Sequence, residues 1–373
     1  MIQLKKVDTK RELKDFIKFP FSLYKNSKYW VPPIIIDELE TLRKDKNPVF
    51  ENAEAHYFLA YKENKIVGRI AAIINHIETQ RQGLRKMRFG WFDVIDDIEV
   101  SRVLLNKVEE IGKQNNLEFI EGPVGFSNLD KVGALTEGFD HIGTMATWYN
   151  HPYYVEHLEK LGFKPEKVYI ESKFLLSEIK EMRFLKMHDL IVKRYKYKPL
   201  NFTKTKEIIP YLDQMFDLLN DSYKELSTFV PINEKQREYY KKKFINFINP
   251  EYIKFVLNEA DEMIAFSVVI PSFSEAIQEI KGKLFPFGIF KLMKAKKNPK
   301  TMLLYLIGVH PKYQQKGVTA VIFNETYKTI SKDGINECIR LPELENNLPE
   351  QQIWKDFGAK IIKRRKTFKK QIS

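Results

Sequence analysis

The residues best suited to chemistry lie at positions 309–319, where an apolar run meets a short polar turn. Residues 301–309 read TMLLYLIGV, which is typical of a buried central strand. Pro311 ends that run, because proline cannot donate to a sheet ladder. The turn QQKGVT at 314–319 then leads into a helical stretch at 320–331. A strand, a tight turn and a helix in this order predict free backbone N–H groups at a helix N-terminus.

Such a turn is suited to binding phosphate. Several N–H groups at a helix N-terminus, with the helix dipole behind them, form a nest for an anion. Gly317 lets the backbone approach an anion closely, and Lys316 adds positive charge. Thr319 can donate its hydroxyl or cap the helix. The alternative is a strand–turn–helix connection without a ligand, in which the polar turn is only a soluble loop.

The turn resembles motif A of the GNAT acyltransferase superfamily, which in outline reads V-x-P-x-x-Q/R-x-x-G-x-G/A. Val309, Pro311, Gln314 and Gly317 match this motif in order and spacing. Thr319 departs from it, because the last position usually holds a smaller residue. The resemblance implies a CoA-dependent acyltransferase in the C-terminal half, with acetyl-CoA or another acyl-CoA as co-substrate.

The residues after the turn resemble the same family, which has an Asn beyond the next strand and a glycine ending the following helix. Asn346 and Gly358 stand at those places. The resemblance implies that the pantetheine arm lies along the strand edge at 305–309, with a bulge near Gly308 that separates two parallel strands. The implied cofactor-binding residues are Ile307, Gly308, Val309, Gln314, Gln315, Lys316, Gly317, Val318, Thr319 and Asn346.

The catalytic groups cannot be assigned from the sequence. Many GNAT enzymes have a tyrosine four residues before the terminal glycine as general acid, and Trp354 stands there. Tyr305 and Tyr327 are the alternative acids. Glu343 and Glu345, after the next strand, can serve as a base or can be solvated loop carboxylates.

An internal duplication is indicated by two pairs of similar segments. Residues 56–74 and 252–270 both read as hairpins, and residues 150–162 and 346–358 both read as a helix that ends at glycine. The two offsets agree to within one residue. The sequence therefore predicts an α/β fold of two tandem GNAT-like domains, each a twisted mixed sheet flanked by helices. The predicted units are residues 1–175, a bracing helix at 176–198, and residues 199–373.

The first copy lacks the features of a phosphate site. Its strand at 88–94 is followed by IDDIE, which places acids where a pyrophosphate needs amides and positive charge. Asp96 or Asp97 is a good N-cap for the next helix. The long loop at 122–147 contains Asn128 and Asp130, which can hold a polar acceptor or satisfy local turns. We therefore expect a cofactor site only in the second copy.

Composition limits the remaining possibilities. The 373 residues carry a net charge of +13, which indicates either a polyanionic partner or lysine-rich surfaces in general. The single cysteine, Cys338, excludes an internal disulfide and a Cys-rich zinc module, and its neighbours predict a buried structural thiol. No metal site is predicted. The chain begins without a signal-like apolar stretch and has no membrane span, so we expect a cytoplasmic protein.

The segment at 281–300 has seven lysines and no acid, interleaved with Phe and Leu. Three structures suit it: a helix packed on the core by its apolar face, a lid over the acyl channel, or an interfacial segment on anionic lipid. The packed helix is the simplest expectation, and peripheral membrane contact is the third.

The leading functional hypothesis is N-acyl transfer from acyl-CoA to an unidentified small-molecule or peptide amine. A catalytically silent CoA-binding or scaffold protein is the first alternative, and an aminoacyl-tRNA-dependent transferase of the same fold is the second. A nucleic-acid binder is disfavoured, because no known RNA or DNA module accompanies the charge. The sequence does not indicate an oligomeric state.

Overall fold

The computed structural model describes residues 1–127, 129–179, 183–224, 226, 229–245, 248–347, 354 and 357–372. The elements of the first half are β1 (Gln3–Lys6), α1 (Lys10–Leu23), α2 (Ile35–Thr41), β2 (Ala53–Lys62), β3 (Lys65–Asn75), β4 (Lys86–Val94), α3 (Ile98–Gln114), β5 (Phe119–Gly122), β6 (Ala134–Glu137), α4 (Tyr153–Lys160) and β7 (Lys164–Leu175). Those of the second half are α5 (Arg183–Tyr195), β8 (Lys198–Asn201), α6 (Thr205–Ile208), α7 (Leu212–Tyr223), α8 (Glu234–Phe244), β9 (Ile253–Leu257), β10 (Met263–Pro271), α9 (Ser274–Ile280), α10 (Gly288–Lys297), β11 (Thr301–Val309), α11 (Val318–Lys332), β12 (Glu337–Leu344) and β13 (Lys360–Gln371).

Both hairpins predicted from the sequence are confirmed. β2 pairs antiparallel with β3, and β9 pairs antiparallel with β10 in the second half. In the first half, α4 begins after Pro152 and is followed by Gly162 at a φ of 86°. The matching helix of the second copy was predicted within 346–358, most of which lies outside the described residues.

Each half has its own hydrophobic core beneath a long helix. α3 buries Val100 and Leu104 against β2 to β5, and α11 buries Val321 and Ile322 in the second half. Cys338 on β12 is also buried, and burial beside Glu337 raises the pKa of its thiol to about 12. A thiol with that pKa stays protonated at neutral pH, which confirms a structural cysteine. Among the described residues, no helix is long and apolar enough to cross a membrane.

The described strands join into one mixed sheet that runs through both halves. The strand order is β1-β2-β3-β4-β5-β13-β7-β12-β11-β10-β9-β8, and β6 also pairs with β13. The last strand of each half therefore lies among strands of the other half. β13 pairs with β5 of the first half, and β7 pairs with β12 of the second.

This exchange of final strands joins the two halves along a central antiparallel pair. β7 and β13 are the longest strands at the junction, and they pair from Lys164 with Lys369 to Lys173 with Lys360. The predicted division into residues 1–175, 176–198 and 199–373 stays a prediction, because the sheet continues across those limits. Within the segment predicted to brace the two copies, α5 packs against α11.

Buried ion pairs hold the β7–β13 pair in register. Glu171 on β7 is fully buried, with Arg365 Nε 2.5 Å from its Oε1 and Lys363 Nζ 3.3 Å from its Oε2. Lys363 also donates to the carbonyl of Ile142, and Arg365 donates to the carbonyl of Trp148. Burial opposes ionisation of Glu171, but the two cations lower the pKa of its carboxyl below the ordinary value. The carboxylate is therefore stable only while both cations remain beside it.

We predict that Glu171→Gln lowers the free energy of unfolding by about 3 kcal/mol, because it leaves two buried cations without a counter-charge. Urea unfolding followed by circular dichroism measures this loss. Glu166→Gln is the matched control, since Glu166 lies on the same strand and forms a more exposed 3.7 Å pair with Lys369. The control should lower the free energy of unfolding by less than about 1 kcal/mol.

The same pair predicts a pH dependence. Because the folded-state pKa of Glu171 is lowered, its stabilising effect is present above the unfolded value of about 4.3 and is lost as the pH falls through the folded pKa. The difference in stability between wild type and Glu171→Gln should therefore narrow below pH 4. An equal difference at pH 7 and pH 3 would contradict this account.

Candidate functional site

β11 and β12 start as paired parallel strands and then separate. Thr301 to Leu304 pair with Glu337 to Arg340, and no pairing between the two strands continues beyond that point in the described residues. On its other edge β11 bulges at Tyr305, because Val268 of β10 pairs with Leu306 while Val269 pairs with Leu304. The bulge and the separation open a gap at the carboxyl end of β11.

The bulge lies three residues before the place expected from the sequence. Gly308 was predicted to bulge, but it pairs regularly with Phe266 on β10. A Cβ at Gly308 would lie 2.2 Å from Phe266 Cε1, so close packing across the strand pair requires glycine there. The prediction of two separated strands is confirmed, and the position of the bulge was wrong.

A cleft of about 370 Å³ fills the gap between β11 and β12. The predicted residues Ile307, Gly308, Val309 and Gln314 line it. The carbonyl of Ile307 accepts a hydrogen bond of 2.8 Å from the Tyr223 hydroxyl. The cleft also has lining residues from the first half of the chain, which are Lys86, Arg88, Val124, Ser127, Leu129, Asp130, Lys131, Val132 and Tyr169.

The turn after the cleft forms the predicted nest of backbone N–H groups. Gln315 and Gly317 have left-handed backbone conformations, with φ of 66° and 77°, and Gly317 is the N-cap of α11. Among the hydrogen bonds of the described residues, none is donated by the backbone N–H of Gln315, Gly317, Val318 or Thr319. These four donors gather at the positive end of a 15-residue helix.

The side chains around the nest agree with an anion site. Lys316 is exposed and its ammonium lies 5.1 Å from the centre of the Tyr313 ring. Lys312 is exposed one turn earlier. Thr319 lies at the second residue of α11 and makes no capping hydrogen bond, since Gly317 holds the cap position. Thr319 is therefore not the cap of α11, and hydroxyl donation to a ligand stays a prediction.

The corresponding place in the first half is already satisfied from within the protein. Asp97 caps α3 by accepting a hydrogen bond from the Glu99 N–H, and Lys62 lies 3.0 Å from its other oxygen. The Lys62 ammonium holds the pKa of Asp97 below its ordinary value, and the Glu99 N–H acts in the same direction. Partial burial of the Asp97 carboxylate opposes this shift. A carboxylate at this helix N-terminus repels phosphate, so the geometry agrees with the expected lack of a cofactor site.

The strand gap of the first half is also closed. The Val124 N–H donates to the Phe89 carbonyl at 2.8 Å, so the chain after β5 folds against the free edge of β4. A Cβ at Gly90 would lie 2.5 Å from the Val124 carbonyl oxygen. Trp91 and Phe126 pack beside it in a tilted ring contact. No strand edge comparable to 305–309 is left there.

The loop that closes the first gap carries Asp130 to the cleft of the second half. One Asp130 oxygen accepts hydrogen bonds from the Ser127 N–H at 2.8 Å and the Ser127 hydroxyl at 3.1 Å. Burial raises the pKa of Asp130, although the bonds from Ser127 oppose the rise. The other acceptor residue considered, Asn128, lies outside the described residues. Asp130 is thus a half-buried carboxylate of raised pKa that lines the cleft.

A second cavity of about 270 Å³ adjoins the cleft, and we call it the chamber. Leu129, Asp130, Lys131, Tyr305 and Leu306 line both spaces, so they mark the junction. Most of the chamber wall is apolar, and its main side chains are Ile34, Trp91, Met145, Leu212, Met215, Phe216, Phe244, Ile253, Val268, Ile270, Phe273 and Ile277. Burial and the nearby Asp130 charge raise the pKa of Tyr305 to about 12.

The other candidates for catalysis have structural partners or lie elsewhere. Trp354 is buried, lines the cleft and packs under the Arg340 guanidinium, which lies 4.2 Å from its ring. Glu343 lines the cleft and forms an ion pair with Arg340. Glu345 pairs with Arg364 at 3.0 Å. Tyr327 is on α11 away from the cleft lining.

Asn346 lies on an exposed turn after β12, and its neighbour Asn347 lines the cleft. A cofactor-binding role for Asn346 stays a prediction. The sequence singled out Asp130 as a residue that can hold a polar acceptor, but it did not predict that this residue of the first half lines the cleft of the second half.

We predict that Gly317→Ala lowers the free energy of unfolding more than Gly334→Ala does. Both glycines have left-handed φ, of 77° and 70°, which costs an alanine about 1–2 kcal/mol. A Cβ at Gly317 would also lie 2.7 Å from Ile191 Cδ1, whereas nothing lies within 4 Å of one at Gly334. Urea unfolding measures the loss of stability for each variant. In an Ile191→Ala background, the difference between the two losses should be smaller. Equal losses for the two glycines would contradict the close packing.

Proteins of known sequence and structure resemble this chain over nearly its whole length. No model of a known protein family matches it. Protein YghO of Escherichia coli is 28% identical over 370 residues, which covers 97% of this chain and 94% of that protein. A bacterial ceramide synthase of Caulobacter vibrioides is 28% identical over 313 residues, covering 83% and 80%.

Solved structures share the architecture at low sequence identity. A tandem GNAT protein from the clavulanic acid biosynthesis pathway superposes with a TM-score of 0.59 at 10% identity, covering all of this chain and 99% of that one. Two α/β units, the separated strands and the strand–nest–helix order all agree with this architecture, and the chain therefore has the fold of tandem GNAT proteins.

Proposed function

We propose that the protein is an acyl-CoA-dependent N-acyltransferase whose donor site lies in the second half. The observation that carries the proposal is the set of four unused N–H donors at 315–319, at the end of the cleft between β11 and β12. A diphosphate is the ligand chemistry that such a nest and helix dipole suit best. The tandem GNAT fold supports the same assignment.

The cleft suits the rest of an acyl-CoA. With the pyrophosphate on the nest, the pantetheine arm extends past Gln314 along the edge of β11 at Ile307 to Val309. The unpaired strand edge offers backbone groups to the two amides of that arm, and Tyr223 must leave the Ile307 carbonyl if an amide takes its place. The thioester then lies near the bulge at Tyr305, where backbone N–H groups can stabilise negative charge on the carbonyl oxygen.

Asp130 suits the role of general base. An amine must be neutral to attack, and a carboxylate of raised pKa accepts its proton more readily than an ordinary one. The amine nitrogen forms a bond to the thioester carbon, its proton goes to Asp130, and the C–S bond breaks to release CoA as a thiolate. The position of Asp130 at the junction places the base between the donor cleft and the chamber.

The chamber supports an acceptor with an apolar chain. Its wall is built mainly from aliphatic and aromatic side chains. Asp130 and Lys131 line it at the junction with the cleft, and Asp37, Glu38 and Lys243 line it elsewhere. An amine at the junction with a hydrocarbon chain in the chamber matches that distribution. The Caulobacter relative is named a ceramide synthase, and a ceramide contains an amide of a long-chain amino alcohol. We therefore include long-chain amines in the acceptor class.

We predict that Lys316→Glu weakens CoA binding by about tenfold or more, because it places a negative charge beside the pyrophosphate nest. Isothermal titration calorimetry with CoA measures the change. Lys332→Glu is the matched control, since it makes the same charge change at the opposite end of α11 and should leave CoA binding intact. If wild type binds no CoA or acyl-CoA, the donor assignment is wrong.

We predict that Asp130→Asn lowers kcat/KM by about 10² or more while CoA affinity is unchanged, because the variant cannot take the amine proton. Release of CoA thiol from C2 to C16 acyl-CoAs, with butylamine and dodecylamine as acceptors, measures the rate. Ser127→Ala serves as the matched test of the base. It removes a hydrogen bond to the carboxylate, so it raises the pKa of Asp130 and moves the acid limb of the pH–rate profile to higher pH.

The outcomes separate the alternatives. Acyl-CoA binding without turnover on any amine would favour the silent CoA-binding protein. Turnover that Asp130→Asn leaves unchanged would remove Asp130 from catalysis and keep the donor site. Equal rates with butylamine and dodecylamine would contradict a role for the chamber in acceptor binding.

A further inference from the structure

The segment at 281–300 exposes its aromatic side chains to solvent. Phe285, Phe287 and Phe290 are 71%, 73% and 69% exposed, and Met293 is 50% exposed. The simplest expectation from the sequence was a helix packed on the core by its apolar face, and it is confirmed for only part of that face. Leu292 is buried in an apolar cluster with Phe273 and Ile277, and Leu284 and Ala295 pack against that cluster. Four large apolar groups are left outside the core.

The exposed face also carries positive charge. At 3.6 residues per turn, Phe290, Met293 and Lys297 lie on one side of α10, with Lys294 beside them. The segment has seven lysines and no acid. Lys291 forms an ion pair with Glu279, and Lys300 forms one with Glu275. The apolar groups are therefore ringed by exposed ammonium groups.

The fold adds a neighbouring apolar residue to this face. The Ile35 N–H donates to the Gly282 carbonyl at 3.0 Å, which fixes the start of α2 against the segment. Ile36, the next residue, is 47% exposed. A Cβ at Gly282 would lie 2.2 Å from the Pro33 carbonyl oxygen, so the two segments are in close contact. We call Ile36, residues 283–287, Phe290, Met293, Lys294 and Lys297 the basic aromatic face.

We propose that the basic aromatic face docks on the surface of an anionic lipid bilayer. Aromatic side chains enter the boundary between headgroups and acyl chains, while lysines keep their ammonium groups among anionic headgroups. Charge complementarity selects this partner over a second copy of the chain. Two copies joined by this face would bring their lysines together, and like charges in an interface oppose association.

The chamber lies next to the basic aromatic face. Phe273, directly before α9, and Ile277 on α9 line the chamber, and the helix ends at Ile280, directly before the lysine-rich segment. Pro32, Pro33 and Ile34, which precede α2, line the chamber as well. A bilayer under this face would thus lie beside the cavity proposed for an apolar chain. The docking inference does not depend on the proposed reaction, and vesicle binding tests it without substrate.

We predict that the full chain floats with vesicles of phosphatidylglycerol and phosphatidylcholine in equal parts, and much less with phosphatidylcholine alone. Phe285→Ser/Phe287→Ser/Phe290→Ser should lower the vesicle partition coefficient by about tenfold or more, because the inserted rings are lost. Lys294→Glu/Lys297→Glu should lower it similarly. Sodium chloride at 1 M should weaken wild-type binding, since it shortens the screening length.

Two control variants match these changes elsewhere on the surface. Met187→Ser/Leu190→Ser removes exposed apolar groups from α5, and Lys65→Glu/Lys332→Glu makes the same charge change away from the face. Both should bind vesicles like wild type. The proposal is overturned if wild type ignores anionic vesicles, or if the controls lose as much binding as the face variants. It is equally overturned if wild type sediments as a dimer, the Phe variant alone sediments as a monomer, and neither protein binds vesicles.

Discussion

The exchange of final strands is the constraint on which the candidate site depends. β12 forms one wall of the cleft, and beyond Arg340 it has no partner on the β11 side in the described residues. Its other edge is held by β7, a strand of the first half, through Glu343 and Leu344. Without β7 the separated end of β12 would lose the strand pairing that Glu343 and Leu344 make with Ile170 and Tyr169. The gap between parallel strands is therefore stabilised by the neighbouring copy, and the buried carboxylate of Glu171 fixes the register in which that happens.

The two halves share a strand–turn–helix geometry but differ in whether the N–H donors at the helix N-terminus already have partners within the protein. Both have a strand, a turn and a long helix, and both helices have donors at their N-termini that need partners. In the first half Asp97 supplies the partner as a side-chain cap, and Val124 occupies the strand edge. In the second half Gly317 has no side chain to offer, so the donors stay available. The donors are thus used internally in the first copy and left unused among the described hydrogen bonds of the second, which is the basis for proposing a donor site in the second copy.

The elements that follow from local patterns were predictable, and those that need distant partners were not. Apolar alternation gave the hairpins, and the order of strand, proline, glycine and helix gave the nest at 314–319. The strand exchange was not predictable, because residues 164–175 and 360–371 have the same extended pattern whichever neighbour they pair with. The bulge lies at Tyr305, whereas Gly308 pairs regularly with Phe266 and packs closely against its ring. Sequence spacing does not encode this contact between strands. Nor did the sequence predict that Asp130 of the first half lines the cleft of the second half.

The net charge of +13 has several physical origins, which explains why it could not identify a partner. Some cations are internal, such as Lys86, which lies 2.6 Å from Glu78 and 3.2 Å from Glu121 at 2% exposure. These cations pair with buried carboxylates. Exposed lysines lie near the nest at Lys312 and Lys316, on the segment at 281–300, and at other surface positions. Under the two proposals, fixed N–H donors bind the anion at the nest, whereas flexible ammonium groups bind it at the basic aromatic face. Salt screens flexible exposed charges more than fixed donors in a cleft. The nest and the basic aromatic face therefore suit two different anionic partners.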